Sequence, residues 1–186
     1  MTEPSLKLPD DPDPPALKRR PGRQEPPTSF VALGYLALAV ALVLAASFLG
    51  QIATMRGLSP WYAGLVKPAF TPPNAVFPIA WSLLYALMAW AFWRILRIRP
   101  GAEGRQAAIV LFSGQLALNA LWSWAFFGFA NPLAGLAVIL ALEVAILATL
   151  LAFLRLDRLA GLLLAPYLAW VAYAGVLNGT IWWLNR

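Results

Sequence analysis

Three segments of this 186-residue chain combine aromatic rings with polar side chains at helical spacing. Trp81, Tyr85, Met88 and Phe92 recur at i, i+4, i+7 and i+11. Gln115, Asn119, Trp122 and Phe126 repeat the pattern, and Tyr167, Val171, Ala174 and Asn178 form a third face with Trp170, Tyr173 and Leu177 beside it. Rings of this kind stack on flat conjugated molecules, and an amide can bond a ligand's polar edge. The same amides serve equally well as interhelical glue, and for Gln115, Asn119 and Asn178 the sequence leaves both readings open. Acid–base, nucleophilic and metal chemistry find little support. The chain has no histidine and no cysteine, which excludes disulfides, zinc sites, thiol nucleophiles, imidazole bases and His- or Cys-ligated haem iron. Iron could be reached only through Tyr or Met, and neither a metal site nor a required cofactor is expected.

The elements that position these faces follow from the charge distribution. Charged residues make up 12% of the chain, half the share of about 25% usual in a soluble domain, which excludes a water-soluble globule. The net charge of +6, on so apolar a chain, points to membrane orientation and not to nucleic acid. Residues 1–27 are rich in proline and mixed charge and read as a disordered cytoplasmic tail; they lack the hydrophobic core of a secretory signal.

Residues 28–186 read as an all-α integral membrane bundle of five transmembrane helices, at about 29–54, 74–97, 106–128, 132–154 and 159–184. Thr28 or Ser29 is a candidate cap for the first helix, with Arg56 and Gly57 stopping it, and Asn74 is a candidate cap for the second. Gly128, Asn131 and Pro132 divide an uncharged run too long for one crossing, and Pro166 kinks or thins the start of the fifth helix. The segment from Met55 to Pro73 is punctuated by Gly57, Pro60, Pro68, Pro72 and Pro73 and reads as an ordered loop, a lid over the aromatic faces.

Five crossings put the termini on opposite sides. Lys18, Arg19, Arg20, Arg23, Arg94, Arg97, Arg99, Arg105, Arg155 and Arg158 fall with the N-terminus, and Arg56, Lys67 and Arg186 with the C-terminus, which predicts a cytoplasmic N-terminus and a lid outside. Trp90, Trp93, Trp182 and Trp183 sit at helix ends as an interfacial belt; Trp81, Trp122 and Trp170 lie deeper than a belt explains. Lys67 and Arg56 are candidates to meet a ligand's carboxylates, with plain interfacial snorkelling as the alternative for Lys67. Glu143, inside the fourth helix, is expected to be neutral and hydrogen-bonded across helices, with a proton-coupling role as the alternative. Small-residue stripes at Ala37, Ala41 and Ala45 and at Ser113 and Ala117 allow close packing within or between protomers.

Several blocks together resemble the TspO family, the tryptophan-rich sensory proteins whose mitochondrial members are called translocator protein or peripheral benzodiazepine receptor. They are Trp61-Tyr62 with Leu65, Lys67 and Pro68; Pro72-Pro73, Trp81 and Leu84-Tyr85; Gln115-Leu116-Ala117-Leu118-Asn119 with Trp122 and Phe126-Phe127-Gly128; and Pro166-Tyr167-Leu168-Ala169-Trp170 with Ala174 and Val176-Leu177-Asn178. The resemblance covers about Leu33 to Asn185. It implies a five-helix bundle, often a homodimer, favouring the third helix as the interface, that binds tetrapyrroles such as protoporphyrin and haem. By the same resemblance Trp81, Asn119, Trp170 and Ala174 contribute to the ligand pocket, Tyr62 and Pro72 close over it, and Tyr85 and Leu177 complete its wall. Trp122 joins them from its place on the third-helix face. The sterol-recognition pattern of animal relatives is not matched, since Gly179, Thr180 and Trp183 stand at its positions, and sterol binding is not expected.

Two functions follow from the resemblance: a receptor whose tetrapyrrole occupancy modulates pigment or stress responses, with movement of the ligand as a variant, or an enzyme-like oxidative degradation of porphyrins using Trp81 and Trp170. The arginine asymmetry favours an inner membrane, although some bacterial relatives have been assigned to the outer one.

Overall fold

The computed structural model describes residues 29–186; the Pro-rich stretch 1–27, with its five basic residues, and Thr28 lie outside the described residues. Six α-helices follow in order: α1 Ser29–Gly57, α2 Val76–Leu96, α3 Arg105–Ser123, α4 Pro132–Leu156, α5 Arg158–Leu162 and α6 Ala165–Leu184. Past a kink α1 resumes as Leu58–Tyr62, α3 runs on into a π-helical turn at Trp124–Gly128, and α5 and α6 share one crossing. The result is five apolar spans, Ser29–Tyr62, Val76–Leu96, Arg105–Gly128, Pro132–Leu156 and Arg158–Leu184. The chain is an all-α bundle and an integral multi-pass membrane protein.

Local chemistry explains most boundaries. Asn131 caps α4 by accepting from the Ala134 N–H at 3.0 Å, with Pro132 in the first turn where no N–H is needed. Asp157 caps α5 in the same way, accepting from the Ala160 N–H at 3.0 Å. Three expectations are corrected. The first helix does not give way to loop at residue 55: it continues to Gly57 and resumes through Tyr62, because Pro60 forces only its predecessor, Ser59, into extended geometry (φ −141°, ψ 135°). Asn74 does not cap α2; Ala75 stands at that position and makes no side-chain cap. Pro166 does not kink a continuous helix but sits in the first turn of α6, after α5 has stopped at Leu162.

The buried face of α1 is Ala39, Val43, Ala46, Gly50, Ala53 and Gly57, spaced alternately by four and three residues. That seven-residue repeat of small side chains brings α1 close to its neighbours along its whole length. Near its start α1 is tied to α2, where the Trp93 indole N–H donates to the Ala32 carbonyl at 2.8 Å. Near its end it lies against α3: a Cβ on Gly50 would stand 3.1 Å from Ser123 Oγ, and one on Gly57 would collide with the Phe127 carbonyl. Thus α1 crosses from α2 toward α3. Ala37, Ala41 and Ala45, like Ser113 and Ala117, are exposed on the outside of the protomer, so neither stripe packs within it.

Away from the loop of residues 63–75 the bundle is solid. Phe92 stacks on Phe112 with centroids 4.2 Å apart, Phe112 lies 5.8 Å from Phe153, and together they join α2, α3 and α4. At that end Arg94 closes a 2.7 Å salt bridge to Asp157. Partial burial acts to raise the Asp157 carboxyl, but the Arg94 guanidinium and the backbone N–H groups of α5 outweigh it and hold the group below its usual range. Trp90 and Trp183 face outward from the bundle, whereas Trp93 is engaged by α1 and covered by the Arg97 guanidinium at 4.5 Å.

Candidate functional site

At the opposite end, beneath residues 63–75, the four spans α1, α2, α3 and α6 part around a cavity of about 420 Å³, within the range of ligand pockets. The aromatic periodicity of α2 turns Trp81 and Tyr85 to one wall, stacked at 5.4 Å with 30° between planes. From α3, Trp122 forms a facing wall, stacked on Phe126 at 5.8 Å. Ala174 and Leu177 of α6 complete the enclosure, and Tyr62 lines its lid end, its ring 6.1 Å from Phe126 and 5.3 Å from Phe127.

The floor is polar. Tyr85 donates its hydroxyl to Asn119 Oδ1 at 2.9 Å, and Asn119 Nδ2 donates to the hydroxyl of the fully buried Tyr167 at 3.0 Å. Asn119 is therefore both glue and lining: its amide joins α2 to α6 and its side chain still borders the cavity. Asn178 combines the two roles as well. It accepts from the Trp122 indole N–H at 3.1 Å and donates to the Pro132 carbonyl at 2.7 Å. Gly135 makes room for it, since a Cβ there would come within 2.9 Å of Asn178 Oδ1 and of the Phe126 ring. Gln115, one turn further in, is buried away from the cavity, and neither its Oε1 nor its Nε2 finds a partner.

The lid is strapped to α6. Asn185 accepts from the Val66 N–H and donates to the Val66 carbonyl, both at 2.9 Å, and Tyr173 donates to the Phe70 carbonyl at 2.8 Å. Lys67 donates to the Ala63 and Leu65 carbonyls and holds its ammonium 4.7 Å from the Tyr62 ring centre. Arg56 lies over the Trp124 ring at 5.2 Å.

Of the residues singled out from sequence, Tyr62, Trp81, Tyr85, Asn119, Trp122, Ala174 and Leu177 meet at this cavity. Trp170 does not: it is one helical turn before Ala174 but lies behind Phe77, 6.1 Å away edge to face, and Phe77 takes the wall. Pro72 lies in the lid without reaching the cavity surface. Glu143 belongs to α4, which contributes nothing to the lining; its buried Oε2 has no hydrogen-bond partner, so the bond expected across helices is not made by that atom. The α1 wall of Ser47, Gln51 and Thr54 was not anticipated. Its signal was present, three polar residues at i, i+4 and i+7 in an otherwise apolar span. Among the described residues no group of three or more acidic side chains could hold a metal ion.

The whole bundle has known counterparts. A family model described as TspO/MBR matches residues 39–184. The chain is 43% identical over 150 residues to the tryptophan-rich protein TspO of Chlorobaculum tepidum, covering 81% of this chain and 95% of that protein. It is 42% identical over 158 residues to the protein of the same name from Archaeoglobus fulgidus, covering 81% and 96%. With the human translocator protein the identity is 37% over 123 residues, 66% of this chain and 73% of the relative.

Proposed function

The chain belongs to the TspO/MBR family, and from that premise we propose that it is a membrane sensor that binds tetrapyrroles, such as protoporphyrin or haem, in the cavity beneath residues 63–75. The observation that carries this reading is a cavity with indole and phenol rings on facing walls and a hydrogen-bonded polar floor. Facing rings suit a flat conjugated macrocycle, and the floor amide suits a polar atom at its edge. Lys67, above Tyr62 and without an acidic partner among the described residues, suits a ligand carboxylate at the lid. Occupancy changes what lies under the strapped lid, and through it the chain modulates a pigment or stress response.

Binding fits better than oxidative degradation. Of the two rings that a redox mechanism would use, Trp81 is at the wall and Trp170 is screened by Phe77. The basic residues Arg94, Arg97, Arg99, Arg105, Arg155 and Arg158 at the end away from the lid support a cytoplasmic N-terminus in an inner membrane. Ser113, Gly114 and Ala117, small and outward on α3, support a homodimer through that helix in contact with membrane lipid.

The test is a titration of detergent-purified protein with protoporphyrin in the dark, followed by Trp fluorescence. Saturable, near-stoichiometric quenching with intact pigment recovered is expected, weakened at least fivefold by Trp81→Ala. Equal, non-saturating quenching in both proteins refutes the reading.

A further inference from the structure

The cavity is unevenly enclosed. Much of its lining is buried, with Asn119, Leu177, Asn178 and Ile181 each at 5% exposure or less. Its exposed lining residues are confined to two rows, Gln51 and Leu58 on the first span and Asn74, Pro78 and Ser82 leading into and along α2. The row leading into α2 recurs every four residues, and the two positions on the first span are seven apart, so each row runs along its span.

The reason for the gap is the path of α1. It is bonded to α2 near its start through Trp93 and Ala32, then leans onto α3 at Gly50 and Gly57, and at Gly57 a Cβ would collide with the Phe127 backbone. Two helices joined at one end and parted at the other leave a slot between them. Gln51 lies six residues before the end of α1, and Ser82 six residues after the start of α2. Each is therefore about 9 Å in from its helix end at 1.5 Å per residue. The lid side, in contrast, is fastened by the Asn185–Val66 pair of bonds and by Tyr173 on Phe70.

We infer that the cavity opens sideways into the bilayer through the slot between α1 and α2, and that it takes its ligand from the membrane and not from water. The ligand class is a flat, largely apolar molecule, dissolved among lipid chains, with a polar edge. Polar side chains exposed at the depth of Gln51 and Ser82 are unfavourable against hydrocarbon alone and become favourable against that edge as it passes. The inference rests on the cavity being a ligand site, as proposed above, but not on the ligand being a tetrapyrrole.

The absence of native cysteine makes a direct test simple. Ser123→Cys places one thiol on the buried cavity wall. The protein in lipid nanodiscs is treated with a bilayer-dissolved maleimide or with a charged, water-soluble one. Each rate is normalised to a reference thiol open to that phase, Val144→Cys on the outer face of α4 or Glu103→Cys in the α2–α3 connection.

Normalised modification at least tenfold faster from the bilayer is expected, falling at least fivefold when Gln51→Trp and Ser82→Trp fill the slot. If the double replacement does not fold, each single one is expected to slow the reaction about threefold. Faster modification by the charged reagent, or a bilayer rate unchanged within twofold by every filling variant, overturns the inference. Non-saturating protoporphyrin quenching alongside the expected labelling pattern refutes the tetrapyrrole reading and leaves the lateral opening supported.

Discussion

Tyr85 and Asn119, 34 residues apart on different helices, are joined by a 2.9 Å hydrogen bond from the phenol to the amide oxygen, and the amide nitrogen passes the chain on to Tyr167. The floor of the cavity is thus a structural joint as well as a surface. Asn119→Leu leaves two hydroxyls without their partner and should cost about 1–3 kcal/mol for each group stranded in a buried site. Tyr85→Phe removes one donor and should cost about 1 kcal/mol. Thermal unfolding in detergent checks the order, and protoporphyrin affinity should fall further in Asn119→Leu than in Tyr85→Phe.

The two tryptophans that the family resemblance assigns to the pocket, Trp81 and Trp170, should separate in binding. Trp81→Ala removes a wall and is expected to weaken protoporphyrin at least fivefold. Trp170→Phe keeps a ring behind Phe77 and should leave affinity within twofold. A parallel titration of the two variants decides it, and equal losses would place Trp170 at the ligand.

Gly57 should tolerate no side chain. A Cβ there meets the Phe127 carbonyl, a backbone atom that cannot rotate away, so Gly57→Ala is expected to destabilise by about 1–3 kcal/mol through overpacking. Gly34, whose Cβ would meet nothing within 4 Å, serves as the control, and Gly34→Ala should be neutral or slightly stabilising in the same unfolding assay.

Asp157 makes stability depend on pH in one direction. Its carboxyl is held below the usual range when folded, so the Arg94 contact is fully stabilising above the unfolded value of about 3.9. That contribution is lost as pH falls from there through the lower, folded value. Asp157→Asn retains an acceptor for the Ala160 N–H but not the charge. Melting temperatures between pH 2.5 and 7 should therefore differ most at neutral pH and converge toward the acid end.

The lid should loosen when its strap is cut. Asn185→Ala removes both bonds to Val66, and hydrogen exchange at the Val66 amide is expected to accelerate at least tenfold. Exchange in the second half of α4, at the end of the bundle away from the lid, should not change.

What the sequence determined by itself was whatever depends on periodicity and charge. Runs without charge gave five spans; Asn131 with Pro132 placed the start of α4; and the 3.6-residue period put Trp81 with Tyr85 and Asn119 with Trp122 on common faces. Those properties reside in single helices, so no knowledge of neighbours is required. The tertiary structure decided what depends on where helices cross. Phe77 and not Trp170 reaches the wall, because α2 presents Phe77 in front of that part of α6. Ser47, Gln51 and Thr54 become lining only because α1 leans from α2 onto α3, a path set by close contacts at Gly50 and Gly57 rather than by hydropathy. Whether an amide is glue or lining was likewise undecidable along the chain. Asn119 and Asn178 are both, and Gln115 is neither, since a hydrogen bond between helices needs a partner at about 3 Å, and only the assembled bundle fixes that distance.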